Sequence, residues 1–249
     1  MNLASISYDS QEILRRFANA YRLTYPLLSD VGSVVIKKFG ILNPNVPPDV
    51  APFYGMPFPG QYLIGPNGIV REKFFLPDYQ TRVSASHVLL KDHGGSVGEN
   101  ATTTQAEELR VTLRLSDTRS FAGQQLGFDV EFALKPGWHI YGGPLPENYR
   151  ETSLKFDQEL VANQSLDFHK PTPVEFEALG ETLPVYEGTF KAVGQLLLKR
   201  QIKPGEHKLR ATLLFQLCSR DTCKIPQSVC FELPIRIDAY VPGAKATAQ

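Results

Sequence analysis

The chain has 249 residues, enough for two domains, and its formal net charge is +0. It contains no basic stripe typical of nucleic-acid binding and no uninterrupted apolar stretch of about 18 residues that would indicate a membrane span. Hydrophobic residues make up 42%, so a chain of this size can bury a core without disulfides. Its three cysteines fit one pair and a leftover better than a disulfide scaffold.

The opening segment predicts two helices after a short strand. Residues 3–7 form the predicted strand. Asp9, followed three residues on by Glu12, is a capping-box pattern at the start of the first helix. Apolar residues then recur at helical spacing, and residues 31–39 predict the second helix.

A β-hairpin is predicted next. A proline-rich stretch over residues 43–59 indicates a loop. Residues 61–64 and 69–76 are strand-like, and the Pro-Asn-Gly sequence at 66–68 is typical of a tight turn between paired strands. A last helix is predicted over residues 78–90.

The sequence then changes from mixed α/β patterns to β patterns. Residues 94–107 are polar, rich in Gly and Thr, and without apolar periodicity, so they predict a linker after a first domain at 1–93. Leu109–Leu115 alternates apolar and polar residues, as a half-buried strand does. Further strand-like runs lie at 126–134, 153–156, 188–198, 207–217 and 229–237. We therefore predict an antiparallel β-sandwich over 108–240, followed by a tail at 241–249.

Cys218 and Cys223 lie at the end of a predicted strand, separated by four polar residues. If residues 219–222 form a hairpin loop, the two cysteines are directly opposed, with Cα atoms about 5.5 Å apart. That separation suits an unstrained disulfide that can close and reopen, while so short a loop adds little stability. We expect the disulfide to be exposed, and Arg220 and Lys224 to favour the thiolate form.

Two other interpretations of the cysteines remain open. One is a structural disulfide in an extracytoplasmic β domain. The other is a zinc site, although structural zinc usually uses two sets of closely spaced cysteines. Its ligands would be Cys218, Cys223, Cys230 and either His139 or His169. In the disulfide interpretations Cys230 is expected to be a small buried packing residue.

Two aromatic segments are further candidates. In the run GWHIY, Trp138 is expected to be a core residue of the sandwich with Tyr141 packed beside it. Residues 174–186 predict either a loop that covers the cysteines or an ordinary connection between strands.

Residues 109–237 resemble the N-terminal periplasmic domain of the thiol:disulfide interchange protein DsbD family. The matching runs are GWHIY, GETLPVYEG and LCSRDTCKIP, and the cysteine run is the most specific of them. The resemblance implies an immunoglobulin-like fold in which Cys218 and Cys223 cycle between dithiol and disulfide. It also implies a cap, shielding the cysteines until a redox partner such as a thioredoxin-like protein docks, and an extracytoplasmic location. The candidate cap and binding residues are Phe176, Leu179, Gly180, Tyr186 and Tyr141. We expect neither a cofactor nor a metal.

Residues 1–93 are similar to the later part of a peroxiredoxin-like (AhpC/TSA, redoxin) thioredoxin fold. The matching runs are ISYDSQEILRRFA, YPLLSD and PFPGQYLIGPNGIV. Pro59, a further candidate binding residue, stands where that fold usually has its cis-proline. The family's first strand, first helix and cysteine-bearing turn have no counterpart here, and no cysteine precedes Cys218. We expect either a natural start upstream of Met1 or a non-catalytic binding domain.

Three functions follow from these patterns. The first is a thiol–disulfide oxidoreductase or electron relay, with Cys218 as the attacking or attacked sulfur and Cys223 as the resolving one. The second is a binding or scaffold protein with a structural disulfide. The third, a thiol peroxidase or a fragment of a longer thioredoxin-like peroxidase or reductase, lacks a nucleophile in the expected place.

Overall fold

The computed structural model describes residues 2–50, 53–76, 81–85, 87–88, 100–176 and 180–239. The chain divides into two compact units, Met1–Tyr79 and Gln80–Gln249. Among the described residues, no helix has the length and apolar character needed to cross a membrane.

The first unit combines two helices with two pairs of strands. Its elements are β1 (Ser5–Ser7), α1 (Gln11–Tyr21), β2 (Leu27–Ser29), α2 (Val34–Lys38), β3 (Gly60–Ile64) and β4 (Val70–Phe75). Strands β1 and β2 pair in parallel, and β3 and β4 form an antiparallel hairpin. The predicted first strand, both helices and the hairpin are confirmed, whereas β2 is too short to give a pattern.

The N-cap of α1 differs from the prediction. Ser10, not Asp9, caps the helix, because the Ser10 hydroxyl accepts the N–H of Ile13 at 3.3 Å. The Asp9 carboxylate accepts a hydrogen bond from the Ser7 hydroxyl instead, at 2.5 Å. A side-chain bond to the preceding strand thus shifts the capping position by one residue.

The second unit is mostly β. Its strands are β5 (Arg82–Val83), β6 (Ala101–Ala106), β7 (Leu109–Leu115), β8 (Arg119–Phe121), β9 (Gln124–Leu134), β10 (His139–Tyr141), β11 (Ser153–Phe156), β12 (Val161–Asp167), β13 (Thr172–Phe176), β14 (Glu181–Glu187), β15 (Thr189–Leu198), β16 (Gly205–Phe215), β17 (Leu217–Cys218) and β18 (Gln227–Asp238). The predicted strand at Leu109–Leu115 is confirmed residue for residue.

These strands form three sheets. The largest has the order β12-β15-β9-β7-β6, with β5 added parallel to β9. The second has the order β11-β16-β18-β8, and the third β13-β14-β10-β17. Strands β16 and β17, which are consecutive in the chain, therefore belong to different sheets.

The predicted linker at 94–107 differs from the structure. Residues 101–106 form β6, which pairs with β7 along its whole length, and the Thr103 and Thr112 hydroxyls lie 2.9 Å apart. The side chains of β6 are exposed or half-buried, and those between Ala101 and Ala106 are polar, so the strand has no continuous apolar face to reveal it. The second unit also begins before the linker, since Arg82 and Val83 pair with β9. The predicted helix at 78–90 is wrong at Arg82–Val83, which form β5 because they pair with β9, whereas residues 85, 87 and 88 are helical. Residues 78–80, 86, 89–90, 94–99 and 241–249 lie outside the described residues.

One hydrophobic cluster joins the three sheets. Alternate residues of β7, β9, β15, β16 and β18 supply most of it, and Ile140, Tyr186 and Leu217 contribute from the third sheet. Because neighbouring residues of a strand point to opposite faces, the residues next to these three point away from this main core. That opposite face of the third sheet carries the cysteine site.

Candidate functional site

The cysteine hairpin begins where the chain changes sheets, at Gln216 between β16 and β17. The side-chain oxygen of Gln216 accepts the N–H of Arg150 at 3.0 Å. Its side-chain nitrogen donates to the carbonyl of Lys224 at 3.1 Å. The buried amide therefore ties together both ends of the hairpin and a neighbouring segment.

Cys218 and Cys223 form a disulfide across this hairpin. They are directly opposed as an isolated antiparallel bridge, as the spacing predicts for a loop at residues 219–222. The Cα atoms are 4.1 Å apart, closer than expected. The Ser219 N–H donates to the Thr222 carbonyl at 2.8 Å, and the Lys224 N–H to the Leu217 carbonyl at 2.9 Å.

The two halves of the disulfide have different environments. Cys218 is 0% exposed, whereas Cys223 is an exposed residue. The expectation of a disulfide exposed as a whole is therefore wrong for Cys218. It is buried because β17 is the edge strand that pairs with β10 and places the Cys218 side chain under neighbouring rings.

Four ring side chains lie on the face of the third sheet that carries Cys218, and we call them the aromatic cluster: His139, Tyr141, Tyr149 and Phe176. The ring centroids of His139 and Tyr141 are 5.4 Å apart, and those of His139 and Phe176 are 5.2 Å apart. The Tyr149 ring meets that of Tyr141 edge to face at 5.2 Å. Such geometry is favourable for aromatic pairs and encloses the buried cysteine.

Phe176 reaches this cluster from the end of a strand. Segment 174–186 is not a covering loop, because β13 and β14 form a hairpin in which Phe176 is paired with Glu181. Gly180 lies in the turn with a φ of +63° and donates its N–H to the Phe176 carbonyl at 2.9 Å. Leu179 lies outside the described residues.

Tyr141 links the cluster to the exposed half of the disulfide. Its hydroxyl lies 3.4 Å from the Cys223 sulfur. Burial, with smaller contributions from Tyr149 and Glu181, raises the pKa of Tyr141 to about 12. The hydroxyl therefore keeps its proton throughout the physiological range and is able to donate it to a thiolate at Cys223.

Tyr149 is held by a carboxylate. Its hydroxyl donates to Glu181 at 2.7 Å, and this hydrogen bond is the main cause that raises the pKa of Tyr149. The pair joins the segment after β10 to strand β14 above the aromatic cluster.

Tyr186 is not at the disulfide, contrary to the prediction. It lies on the opposite face of β14, stacked against Phe168 and Phe190, and its hydroxyl donates to the His169 carbonyl at 3.0 Å. The two-residue period of the strand is the reason: Val185 faces the cysteines, so its neighbour faces the main core.

Lys224 does not lie where it could stabilise a cysteine thiolate, contrary to the prediction. Its ammonium forms an ion pair with Glu107 and lies 4.7 Å from the centroid of the Trp138 ring. As the residue after Cys223 on an extended segment, it points away from the disulfide. Trp138 is half-buried against the main core, and Tyr141 lies on the other face of the sheet rather than beside it.

The zinc ligand set is not assembled. Cys218 and Cys223 are joined to each other, and His169 packs against Tyr186 and Phe190. Cys230 is exposed, not buried as predicted. Alternation along β18 buries Phe231 and turns Cys230 outward, opposite Thr212.

Pro59 belongs to the first unit and precedes β3. Among the described residues the cis peptide bond is Gly143–Pro144, so the expected cis bond at Pro59 is absent.

Sequence reasoning placed His139 beside the cysteines only as a possible zinc ligand, and it did not place Tyr149 or Glu181 there. A signal existed for His139, because it is two residues from Tyr141 and therefore shares its face in a strand. Tyr149 and Glu181 are far apart in sequence and gave no comparable signal.

Comparison with known families supports a thioredoxin fold for the first unit. Residues 1–73 match the family model described as the AhpC/TSA family, a family with a thioredoxin fold. No curated protein matches the chain.

Solved structures with partial likeness include the N-terminal periplasmic domain of ScsB from Proteus mirabilis. It is 14% identical, with 56% of this chain and 52% of that chain covered and a TM-score of 0.42. The reduced N-terminal domain of DsbD from Neisseria meningitidis is 20% identical over 45% of this chain and 78% of that chain, with a TM-score of 0.29. The yeast GGA1 GAE domain is 16% identical over 53% and 96%, also with a TM-score of 0.29. The chain spans about half the length of the first of these structures.

Proposed function

We propose that the chain carries out thiol–disulfide exchange through Cys218 and Cys223, in an immunoglobulin-like β-sandwich of the kind found at the N-terminus of the DsbD family. The observation that carries the proposal is the asymmetry of the disulfide. Cys223 is exposed and Cys218 is fully buried beside the aromatic cluster. An attacking thiolate reaches one sulfur and is kept from the other.

This asymmetry supports different roles for the two cysteines. A partner thiolate attacks the Cys223 sulfur, and Cys218 leaves with the electron pair. The order is the reverse of the sequence-based expectation, which made Cys218 the attacked sulfur. Tyr141 supports the assignment, since its hydroxyl lies 3.4 Å from the Cys223 sulfur, where it can donate to a thiolate.

A stabilising role explains the disulfide less well. The bond joins residues five apart in sequence, and closing so short a loop contributes about 2 kcal/mol, against about 4.7 kcal/mol for a loop of 100 residues. Backbone and side-chain hydrogen bonds already hold the hairpin. The disulfide therefore stabilises this hairpin by less than half of what a long-range disulfide would contribute.

The first unit is proposed to be a thioredoxin-like module without peroxidase activity of its own. Its match to the AhpC/TSA family supports the fold, while the absence of a cysteine before Cys218 argues against thiol chemistry within it. The proposed partner is a thioredoxin-like or other redox protein, and the proposed location is outside the cytoplasm, both on the resemblance of residues 109–237 to the DsbD family.

A redox titration of the full chain tests the proposal. It is carried out on the Cys230→Ser variant, so that only Cys218 and Cys223 contribute to the thiol signal. An exchange disulfide is expected to titrate within roughly −120 to −270 mV, and a structural one below about −300 mV. A potential in the lower range would support the scaffold function and overturn exchange.

Single cysteine variants test the roles. In the same background, Cys218→Ser leaves Cys223 free and is expected to form a mixed disulfide rapidly with a small aromatic disulfide. Cys223→Ser leaves only the buried Cys218 and is expected to react far more slowly. Equal rates would contradict the assignment of Cys223 as the attacked sulfur.

A further inference from the structure

His139 lies directly opposite Cys218 on the neighbouring antiparallel strand. Residues opposed in this way have Cβ atoms about 4.5–5.5 Å apart, and their side chains share one face of the sheet. Ile140 and Leu217, the next residues on each strand, both enter the main core. The imidazole and the Cys218 sulfur are therefore neighbours on the opposite, cysteine-bearing face.

The His139 ring is enclosed. Its residue is 3% exposed, and the ring packs against Tyr141 and Phe176. The ring nitrogen Nε2 is buried and has no hydrogen-bond partner among the described residues. An unpartnered buried polar atom is destabilising because no hydrogen bond compensates its loss of contact with water, so its retention in a packed face calls for an explanation.

The other titratable groups around this ring are protonated near neutral pH, already hydrogen-bonded or ion-paired, or exposed. Tyr141 and Tyr149 have raised pKa values and remain protonated near neutrality. Glu181 accepts the Tyr149 hydroxyl, and Lys224 is paired with Glu107. Glu187, opposite His139 on β14, is exposed. The His139 imidazole is thus the base on this buried face that is available near neutral pH.

We propose that His139 is the proton acceptor for Cys218 each time the disulfide re-forms, an inference that rests on the proposed thiol–disulfide exchange. Cys218 is 0% exposed, so bulk water does not reach its thiol to remove the proton. Burial lowers the pKa of His139 to about 4 while the disulfide beside it is uncharged, and a thiolate at Cys218 opposes this shift because a neighbouring opposite charge favours the imidazolium. The imidazole then accepts the proton and balances the thiolate charge, as it does for other activated cysteines.

Oxidation of the reduced protein by a disulfide RSSR proceeds through a mixed disulfide. The Cys223 thiolate attacks RSSR, forms the mixed disulfide and releases RS⁻. Cys218 then transfers its proton to Nε2 of His139, and its thiolate attacks the Cys223 sulfur. The bond to the remaining RS group breaks with the electron pair on that group, and the imidazolium proton returns to a released thiolate. One protein dithiol has been oxidised and RSSR has been reduced to two thiols, with one proton left in solvent for each thiol that stays ionised.

A two-phase reaction separates the two cysteines. The reduced Cys230→Ser protein is mixed with the aromatic disulfide 5,5′-dithiobis(2-nitrobenzoate), whose released thiolate absorbs visible light. The first release is second order and reports attack by Cys223. The second is first order and reports closure by Cys218.

His139→Phe keeps a ring of similar shape and removes the base. Closure at pH 7 is expected to slow at least about tenfold, as loss of a general base predicts, and to recover as the pH rises and the thiol ionises unaided. The first phase should stay within about twofold of the parent. His139→Gln provides a second variant in case the phenylalanine substitution disturbs folding, and it should slow closure in the same way.

His169→Phe is the matched control, because that ring packs on the other face of the sheet against Tyr186 and Phe190. It should leave both phases unchanged. Closure that is as fast in both His139 variants as in the parent would overturn the proton-acceptor role while leaving exchange intact. A parent protein in which the first phase is missing would overturn the proposed exchange itself, and the role of His139 with it.

Discussion

The Tyr141 hydroxyl and the Cys223 sulfur lie 3.4 Å apart, across a sequence separation of 82 residues. Tyr141 is 1% exposed, and its burial raises its pKa to about 12. A proton donor that does not ionise in the physiological range thus faces the sulfur of the exposed half of the disulfide.

Tyr141→Phe should raise the pKa of the Cys223 thiol in the reduced protein. A hydrogen bond to a charged group is worth about 1.5–3 kcal/mol, so losing it predicts a rise of about one unit or more. The measurement is the rate of alkylation of Cys223 against pH, in a Cys218→Ser, Cys230→Ser background. An unchanged midpoint would show that the hydroxyl does not donate to the thiolate.

Phe176→Ala should accelerate reduction of the disulfide by dithiothreitol several-fold. Its half-buried ring packs on the cluster that contains Cys218, and removing the ring opens this face to solvent and to thiols. Phe121→Ala is the control, since Phe121 is 46% exposed on β8 and belongs to another sheet. Equal acceleration in both variants would indicate general loosening rather than loss of a cap.

The oxidised protein should lose stability as the pH falls from 7 to 5 because of His139. Burial lowers the pKa of His139 from 6.5 to about 4, so between these values the unfolded chain binds a proton that the folded chain does not. Stability from this group is full above pH 6.5 and declines toward pH 4. The expected loss between pH 7 and 5 is about 2 kcal/mol.

Urea unfolding at the two pH values measures this loss, and His139→Phe should remove it. Other groups contribute to the slope in both proteins, so the difference between the two slopes is the quantity of interest. Parallel slopes would contradict a neutral, buried His139.

Lys224→Met should leave the Cys223 pKa unchanged. The ammonium is already paired with Glu107 and lies over Trp138, so it contributes little to the potential at the sulfur. Stability should fall by about 1 kcal/mol or less, as for partly exposed ion pairs. Alkylation rates against pH provide the test, with Lys135→Met, which breaks the Lys135–Glu108 pair, as the matched control.

Sequence patterns predicted the strands that have one buried face. Leu109–Leu115 alternates so regularly that its bounds are correct. Strands β13 and β14 were not predicted, and Pro173 and Pro184 are paired with each other across the hairpin. Proline usually marks a strand as an edge or argues against it, so tertiary pairing overrides the local signal here.

The cysteine hairpin was predictable because it is local: four polar residues separate two cysteines at the end of an alternating run. The different burial of Cys218 and Cys223 was not, since it depends on β17 leaving the sheet of β16 to pair with β10. The register of β14 likewise turns Tyr186 toward the main core, so it does not lie at the cysteines as predicted.

The crossing at Gln216 has a mechanical consequence. Its amide holds Arg150 and Lys224, and neither bond involves a sulfur atom. Reduction of the disulfide breaks neither of these hydrogen bonds. We therefore expect the backbone around the two cysteines to move little when the pair is reduced or oxidised. A redox partner is then expected to dock on the same surface, with the same backbone conformation, whether the cysteines are oxidised or reduced.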